Sequence, residues 1–290
     1  MDTEARLAYE ARTRNRQAGL ALAAGLFLLL AVVIQIGGPH VSVSEKTLGL
    51  ITENRRATRD LIGSIVAAFS LFGLGWTLLW LWDAARAREP NVRPWFMGWI
   101  GVAGAVIQAV GVVVYAVAFG NAASDFVSHG SQTWPEANDL LTGGVLVAGQ
   151  IANYLGLLLL AVSIVLISLN AMRVGLLTRF LGYLGIIAGV LTIIPLVPIP
   201  IVEAYWLFAL AYLLSGRWPS GVPPAWSSGR AERWPSSAEL RAARGQAPAR
   251  GGLFRPPSRP APEPTPEPVG APAPASTRST TPKRKRKRRK

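Results

Sequence analysis

Along the first 216 residues the apolar positions do not alternate with polar ones but run together in six blocks. Gly19–Ile36 reads GLALAAGLFLLLAVVIQI and Leu61–Trp82 reads LIGSIVAAFSLFGLGWTLLWLW, both without a charge. Trp95–Phe119, Gly143–Leu169 and Gly175–Val197 follow, the last with Arg179 near its start, and Ile201–Ser215 is a shorter sixth. Crossing the ~30 Å hydrocarbon core of a bilayer takes about 20 apolar residues. A lone strand in lipid would leave its backbone N–H and C=O groups unpaired, so the blocks predict helices. None has a polar face for water. The pattern predicts an all-α, polytopic bundle of six transmembrane helices over residues 19–216, preceded by a cytoplasmic segment, residues 1–18. The first block exceeds the roughly 7–15 residues of a signal-peptide core and no Ala-x-Ala site follows it, so it reads as an uncleaved span.

Short flanking segments set the orientation through their Lys and Arg content. With the N-terminus inside, the inner segments hold Arg6, Arg12, Arg14 and Arg16, then Arg86, Arg88 and Arg93, then Arg173 and Arg179. The outer 120–142 segment has none, only Asp125, Glu136 and Asp139. The exception is the outer 37–60 segment, with Lys46, Arg55, Arg56 and Arg59. A continuation of the second helix through Thr52–Asp60, with Glu53 and Asp60 offsetting the arginines, would accommodate it. Trp76, Trp80, Trp82, Trp95, Trp99 and Trp218 sit where a headgroup-level aromatic belt is expected. The expected address is the cell membrane, with both termini cytoplasmic.

Composition sharpens this picture. Half of the residues are hydrophobic and 16% are charged, against roughly 25% in a soluble domain. The net charge of +14 nevertheless stands. Residues 1–216 hold 13 Lys/Arg against 12 Asp/Glu, whereas residues 217–290 hold 17 against 4. The second part is Pro/Ala-rich, with 15 of the 22 prolines. Such a segment has too little to bury to offset its ordering entropy, so 217–290 reads as a disordered cytoplasmic tail. A short helix over Ser236–Arg244 fits its pattern.

Polar residues within spans are costly and are functional candidates by default. Gln108 lies in the third block and Gln150 and Asn153 in the fourth, three residues apart and so near one helix face. Glu203 is the only acidic residue inside any of the six blocks and follows Pro195, Pro198 and Pro200. A polar cavity built from Gln108, Gln150, Asn153 and Glu203 would suit a cation or small polar solute, as in a transporter or channel. Amides hydrogen-bonding between helices, with Glu203 in water at the outer interface, is the structural alternative.

Signs of catalysis are missing. There is no cysteine, and His40 and His129 fall in separate outer segments. No HExxH, GxxxxGK[ST] or GxSxG occurs, and a lone carboxylate has no partner for acid–base chemistry. The expectation is a non-enzymatic protein without cofactor or metal. Small-xxx-small pairs, Ala21/Gly25, Ala152/Gly156 and Gly185/Gly189, suit close helix packing within the bundle.

One stretch, Leu169–Leu196, reads LNAMRVGLLTRFLGYLGIIAGVLTIIPL. It resembles a segment of uncharacterised bacterial multi-pass membrane proteins, in which an arginine-bearing turn, RxGLLxRxLGxLGxxAG, leads into the penultimate span. The matching positions are Arg173, Gly175, Leu176, Leu177, Arg179, Leu181, Gly182, Leu184, Gly185, Ala188 and Gly189, about a tenth of the chain. The resemblance implies a six-helix bundle and an inward-facing turn, and brings no activity or substrate.

The chain closes on eight cations, Lys283, Arg284, Lys285, Arg286, Lys287, Arg288, Arg289 and Lys290. Each Lys or Arg beside an anionic leaflet contributes about 1 kcal/mol, so the expected partner is the inner-leaflet headgroup layer. Nucleic acid, or an acidic protein, is the rival partner. Binding to nucleic acid is not favoured, because the last 36 residues contain no aromatic on which a base could stack.

Overall fold

The computed structural model describes residues 3–36, 46–90, 96–194, 200–219 and 221–232. The described residues are helical, without strands: α1 (Thr3–Gln35), α2 (Lys46–Asn54), α3 (Ala57–Arg88), α4 (Met97–Ser128), α5 (Trp134–Leu141), α6 (Gly144–Arg173), α7 (Arg179–Ile193), α8 (Ile201–Leu214) and α9 (Ala225–Ser228). Four of these, α1, α3, α4 and α6, are long and apolar enough to cross a membrane, and α7 and α8 are shorter apolar helices. At 1.5 Å per residue α7 and α8 are each only about 20 Å long. Pro200 stands at the N-cap of α8, and a proline-rich stretch before it ends a helix because it lacks N–H donors and disfavours αR at the preceding residue.

On several helices, α1 most clearly, the buried and outward sides differ in size rather than in polarity, although large side chains such as Trp82, Trp206 and Leu78 also fill the core. In α1 the buried side includes Ala18, Ala21, Ala24, Gly25 and Ala31, while Leu22, Leu26, Leu30 and Val33 face outward at helical spacing. Ile151, Leu155, Leu158 and Val162 do the same on α6, and Tyr183, Ile187 and Val190 on α7. Large apolar side chains outside and small ones between helices are what lipid solvation selects, because close backbone approach then drives association. A water-soluble monomer rarely exposes so continuous an apolar surface. These features mark a membrane protein.

Neighbours in the bundle run antiparallel. Gly73 of α3 meets Ala24 of α1, Gly75 meets Ala105 of α4, and Gly98 of α4 meets Trp82 of α3. The tightest seam joins α4 and α6: Gly101 faces Ser163, Gly104 faces Leu160, Gly156 faces Gln108, Gly111 faces Asn153 and Gly149 faces Tyr115. Gly104/Gly111 and Gly149/Gly156 are each seven residues apart, two helical turns, so the small positions stay in one seam. Gly182 meets Met172 and Gly189 meets Val165 between α7 and α6, and Gly25 meets Phe208 between α1 and α8. The small-xxx-small pairs therefore lie inside the bundle. The proximal end gathers the start of α1, the end of α3, the start of α4, the α6–α7 turn and the segment after α8. The distal end gathers the end of α1, the starts of α3 and α6, the end of α4, and α2 and α5.

Several expected boundaries move. The first helix starts at Thr3 rather than Gly19, so residues 3–18 are not a loose leader. The second is continued only by Ala57–Asp60, because the helix breaks at Arg55–Arg56 and Thr52–Asn54 belong to the separate α2. The arginines there serve a different purpose. Arg56 donates to the carbonyls of Gln35 and Ile36, and Arg59 to those of Val33 and Ile34. They occupy carbonyls that the end of α1 leaves without helical partners, where cations also suit the helix dipole. Lys46 donates to Asn138 Oδ1 at 2.7 Å and lies 5.4 Å from the centre of the Trp134 ring. Much of the charge exception is thus absorbed locally. α2 and α5 pack over the end of α4 through Leu50, Phe126 and Ala137, so these two short helices form a folded cap at the distal end.

The aromatic belt is likewise divided. Trp76 and Trp99 are exposed, but Trp80 and Trp82 are buried. Trp95 lies outside the described residues. The fifth helix begins at Arg179 after a turn, with Thr178 as N-cap accepting from Leu181 N–H. In that turn Gly175 has φ +81°, and Leu176 N–H and Gly175 N–H bond the carbonyls of Ala171 and Met172. This is a Schellman cap, which requires the left-handed conformation glycine adopts freely.

Disorder from residue 217 onward also does not hold for the described part of that segment. Residues 221–232 lie against the proximal end, and Glu232 N–H bonds the carbonyl of Val174. Ser236–Arg244 and the cations of Lys283–Lys290 lie outside the described residues.

Candidate functional site

Two polar constellations stand out, one in the bundle interior and one at its proximal end. The interior one is a cavity of about 440 Å³ between α1, α3, α4, α6, α7 and α8. Its wall is mostly leucine, isoleucine and alanine, with Ser70, Gln108, Thr192 and Glu203 as the polar exceptions. Glu203 sits in the first turn of α8, and Thr192 Oγ1 of α7 donates to its Oε1 at 3.3 Å. Ser70 Oγ is committed to the Ala24 carbonyl at 2.7 Å. Gln108 Oε1 is buried and without a hydrogen-bond partner among the described residues. Glu203 therefore lines the bundle cavity while staying only half-buried.

The four sequence-predicted residues divide. Gln108 and Glu203 line the same cavity. Asn153 does not: it lies in the α4–α6 seam against Gly111, with its Oδ1 buried and unpartnered among the described residues. Gln150 is exposed on the outer side of α6. Three-residue spacing put Gln150 and Asn153 near one face, but the seam runs through Gly149, Asn153 and Gly156, and Gln150 falls off its edge.

The proximal constellation was not legible as a site. Arg88 of α3 and Glu10 of α1 form a two-pronged ion pair, Nη2–Oε2 2.6 Å and Nη1–Oε1 3.0 Å. Their side chains are only 1% and 5% exposed. Arg6 adds a contact to Glu10 Oε1 at 3.3 Å. Arg88 also donates to the carbonyls of Ala84 and Ala225, each at 2.8 Å. Its guanidinium carbon lies 4.9 Å from the centre of the Trp226 ring. Trp226 stacks on Trp80 with ring centres 5.2 Å apart and planes 13° from parallel. The Trp226 indole N–H donates to the Leu176 carbonyl at 3.0 Å. Bidentate Arg–carboxylate geometry and stacking are both properties of the planar guanidinium. The contact set clasps α1, α3, the α6–α7 turn and the α9 segment together.

A third cluster lies on the distal cap. Glu53 of α2 is buried, and burial, together with its hydrogen bond to Asp60 and that residue's negative charge, pushes its carboxyl up to about 7, with Arg56 opposing. Arg56 lies 3.6 Å from Asp60 Oδ1. Among the described residues no three of His, Asp and Glu converge as a metal site.

Fold and site together define a helical membrane protein with a polar-marked interior cavity and a clasped proximal end. No protein-family model, curated protein or solved structure matches the chain.

Proposed function

We propose that the chain is a six-span, non-enzymatic membrane protein whose termini both face the cytoplasm, and whose polybasic tail holds the anionic inner leaflet. The carrying observation is the alternating direction of the six apolar helices, which brings the chain back to the end at which it entered. Arg12, Arg14, Arg86, Arg173 and Arg179 belong to that proximal end, which favours placing it inside. Of the distal cations, Lys46, Arg56 and Arg59 are engaged with helix carbonyls, Asn138 and Trp134. α7 and α8 then cross as a pair at a site of local thinning. The motif resemblance at Leu169–Leu196 points to the same six-helix organisation.

The segment after α8 is fastened at the proximal face through Glu232, and the tail is covalently joined to it. Tethering raises the effective concentration of Lys283–Lys290 at that surface. Sidedness is testable because the chain has no cysteine. Ser131→Cys is expected to react with a membrane-impermeant maleimide on intact cells, and Ser276→Cys only after lysis; the reverse result overturns the orientation. For the tail, deleting residues 282–290 is expected to abolish co-flotation of the detergent-solubilised protein with phosphatidylserine-containing vesicles. Undiminished flotation would remove the lipid role.

A further inference from the structure

The interior cavity has a chemical bias that selects a ligand class. Glu203 supplies a carboxylate to its wall, and Gln108 an amide oxygen with no partner among the described residues. Of the described residues lining the cavity, none is Lys, Arg or His. No Lys or Arg pairs with Glu203 among the described residues either. Thr192 gives it a single neutral hydrogen bond. A half-buried carboxylate on a mostly apolar wall is stabilised when a counter-charge meets it. Trp206 is on the same wall, and an indole face attracts cations.

An inorganic cation fits this wall poorly. Calcium takes 6–8 oxygen ligands, and the cavity offers only a few oxygens among predominantly apolar side chains. Its volume of about 440 Å³ lies instead in the range of small-molecule pockets, roughly 300–1,000 Å³. We infer that the cavity binds a monovalent lipophilic organic cation, its charged centre at Glu203 and Trp206 and its apolar body against Leu28, Leu71 and the facing leucines of α6. One carboxylate matches one positive charge, and the apolar wall matches a body that reaches the site through the bilayer. Neither the tail nor the sidedness of the bundle enters this assignment.

The test uses the full-length protein in a neutral detergent and radiolabelled tetraphenylphosphonium as probe. Saturable one-to-one binding is expected, displaced by tetrahexylammonium, while radiolabelled tetraphenylborate, the anion of matching shape, tested alone in a separate sample, is expected to show no saturable binding. Glu203→Gln keeps an oxygen for Thr192 while removing the charge, and is expected to weaken binding about tenfold or more. Glu203→Asp should recover part of the loss. Leu28→Trp leaves the carboxylate in place and fills the cavity, and is expected to remove binding without shifting the elution profile. Absence of saturable binding, saturable binding of tetraphenylborate equal to that of the phosphonium, or full affinity in Leu28→Trp each overturns the assignment. The first two need no variant, so they decide the matter even if Glu203→Gln fails to fold.

Discussion

Replacing Glu10 by methionine isolates the energetics of the proximal clasp. In the folded protein Glu10 is the counter-ion of an arginine whose side chain is 1% exposed. Removing it leaves the Arg88 charge held by the Ala84 and Ala225 carbonyls and the Trp226 ring, with no carboxylate. Breaking a buried ion pair from one side costs about 3–5 kcal/mol, because the remaining charge stays desolvated. For a body of this size each 1 kcal/mol moves the melting temperature by about 2–4 °C, so the expected fall is on the order of 10 °C. The double variant Glu10→Met/Arg88→Met removes both charges at similar volume and should recover most of the loss, since the attraction of a buried pair only roughly offsets its desolvation. The assay is thermal unfolding of the detergent-solubilised protein, followed by tryptophan fluorescence. Trp80 and Trp226 both belong to the clasp. The four proteins make a double-mutant cycle. A Glu10→Met variant within about 1 kcal/mol of the parent, or a double variant no better than the worse single one, would refute the reasoning.

Two further outcomes follow from the packing and the distal cap. Glu53 has a folded pKa raised from the ordinary 4.5 to about 7, so the folded state holds its proton more tightly than the unfolded chain does. Its stabilising contribution is full below about pH 4.5 and is lost as pH rises through about 7; Glu53→Gln should flatten that part of the melting-temperature profile measured between pH 5 and 8, and an unchanged slope would count against a buried, proton-sharing Glu53. At Gly104 an added Cβ would lie 2.7 Å from Leu160 N, whereas at Gly19 it would meet nothing within 4 Å; Gly104→Ala should therefore destabilise by about 1–3 kcal/mol, while Gly19→Ala should be neutral or slightly stabilising, and equal melting temperatures for the two variants would refute the seam.

Much of the architecture was legible because lipid makes a one-letter demand: a long apolar run must be a helix. The four long helices were visible on that ground alone. Their ends were not. Thr3–Gln17 is helical despite Arg6, Glu10, Arg12, Arg14 and Arg16, since charged residues with good propensity extend a helix beyond the apolar run as readily as they stop one. The break at Arg55–Arg56 carries no proline or glycine, and its cause is tertiary, in the carbonyls at the end of α1. Glu203 was identified by rarity, and its facing became readable only once Thr192 was placed beside it. Glu10, Arg88 and Trp226 gave no local signal, because each looks like an ordinary interfacial charge or aromatic until three distant parts of the chain converge. The seven-residue glycine spacing in blocks three and four was available in the sequence, and would have identified the α4–α6 seam.

The order in which the clasp's parts leave the ribosome has a consequence for biogenesis. Glu10 and Arg88 emerge early, but Ala225 and Trp226 emerge only after the last apolar helix has been synthesised. Until then Arg88 has the Ala84 carbonyl but lacks that of Ala225 and its aromatic lid. Closure is therefore a late step of assembly, and a nascent chain truncated before Ala225 carries a Glu10–Arg88 pair without its last carbonyl and its aromatic cover.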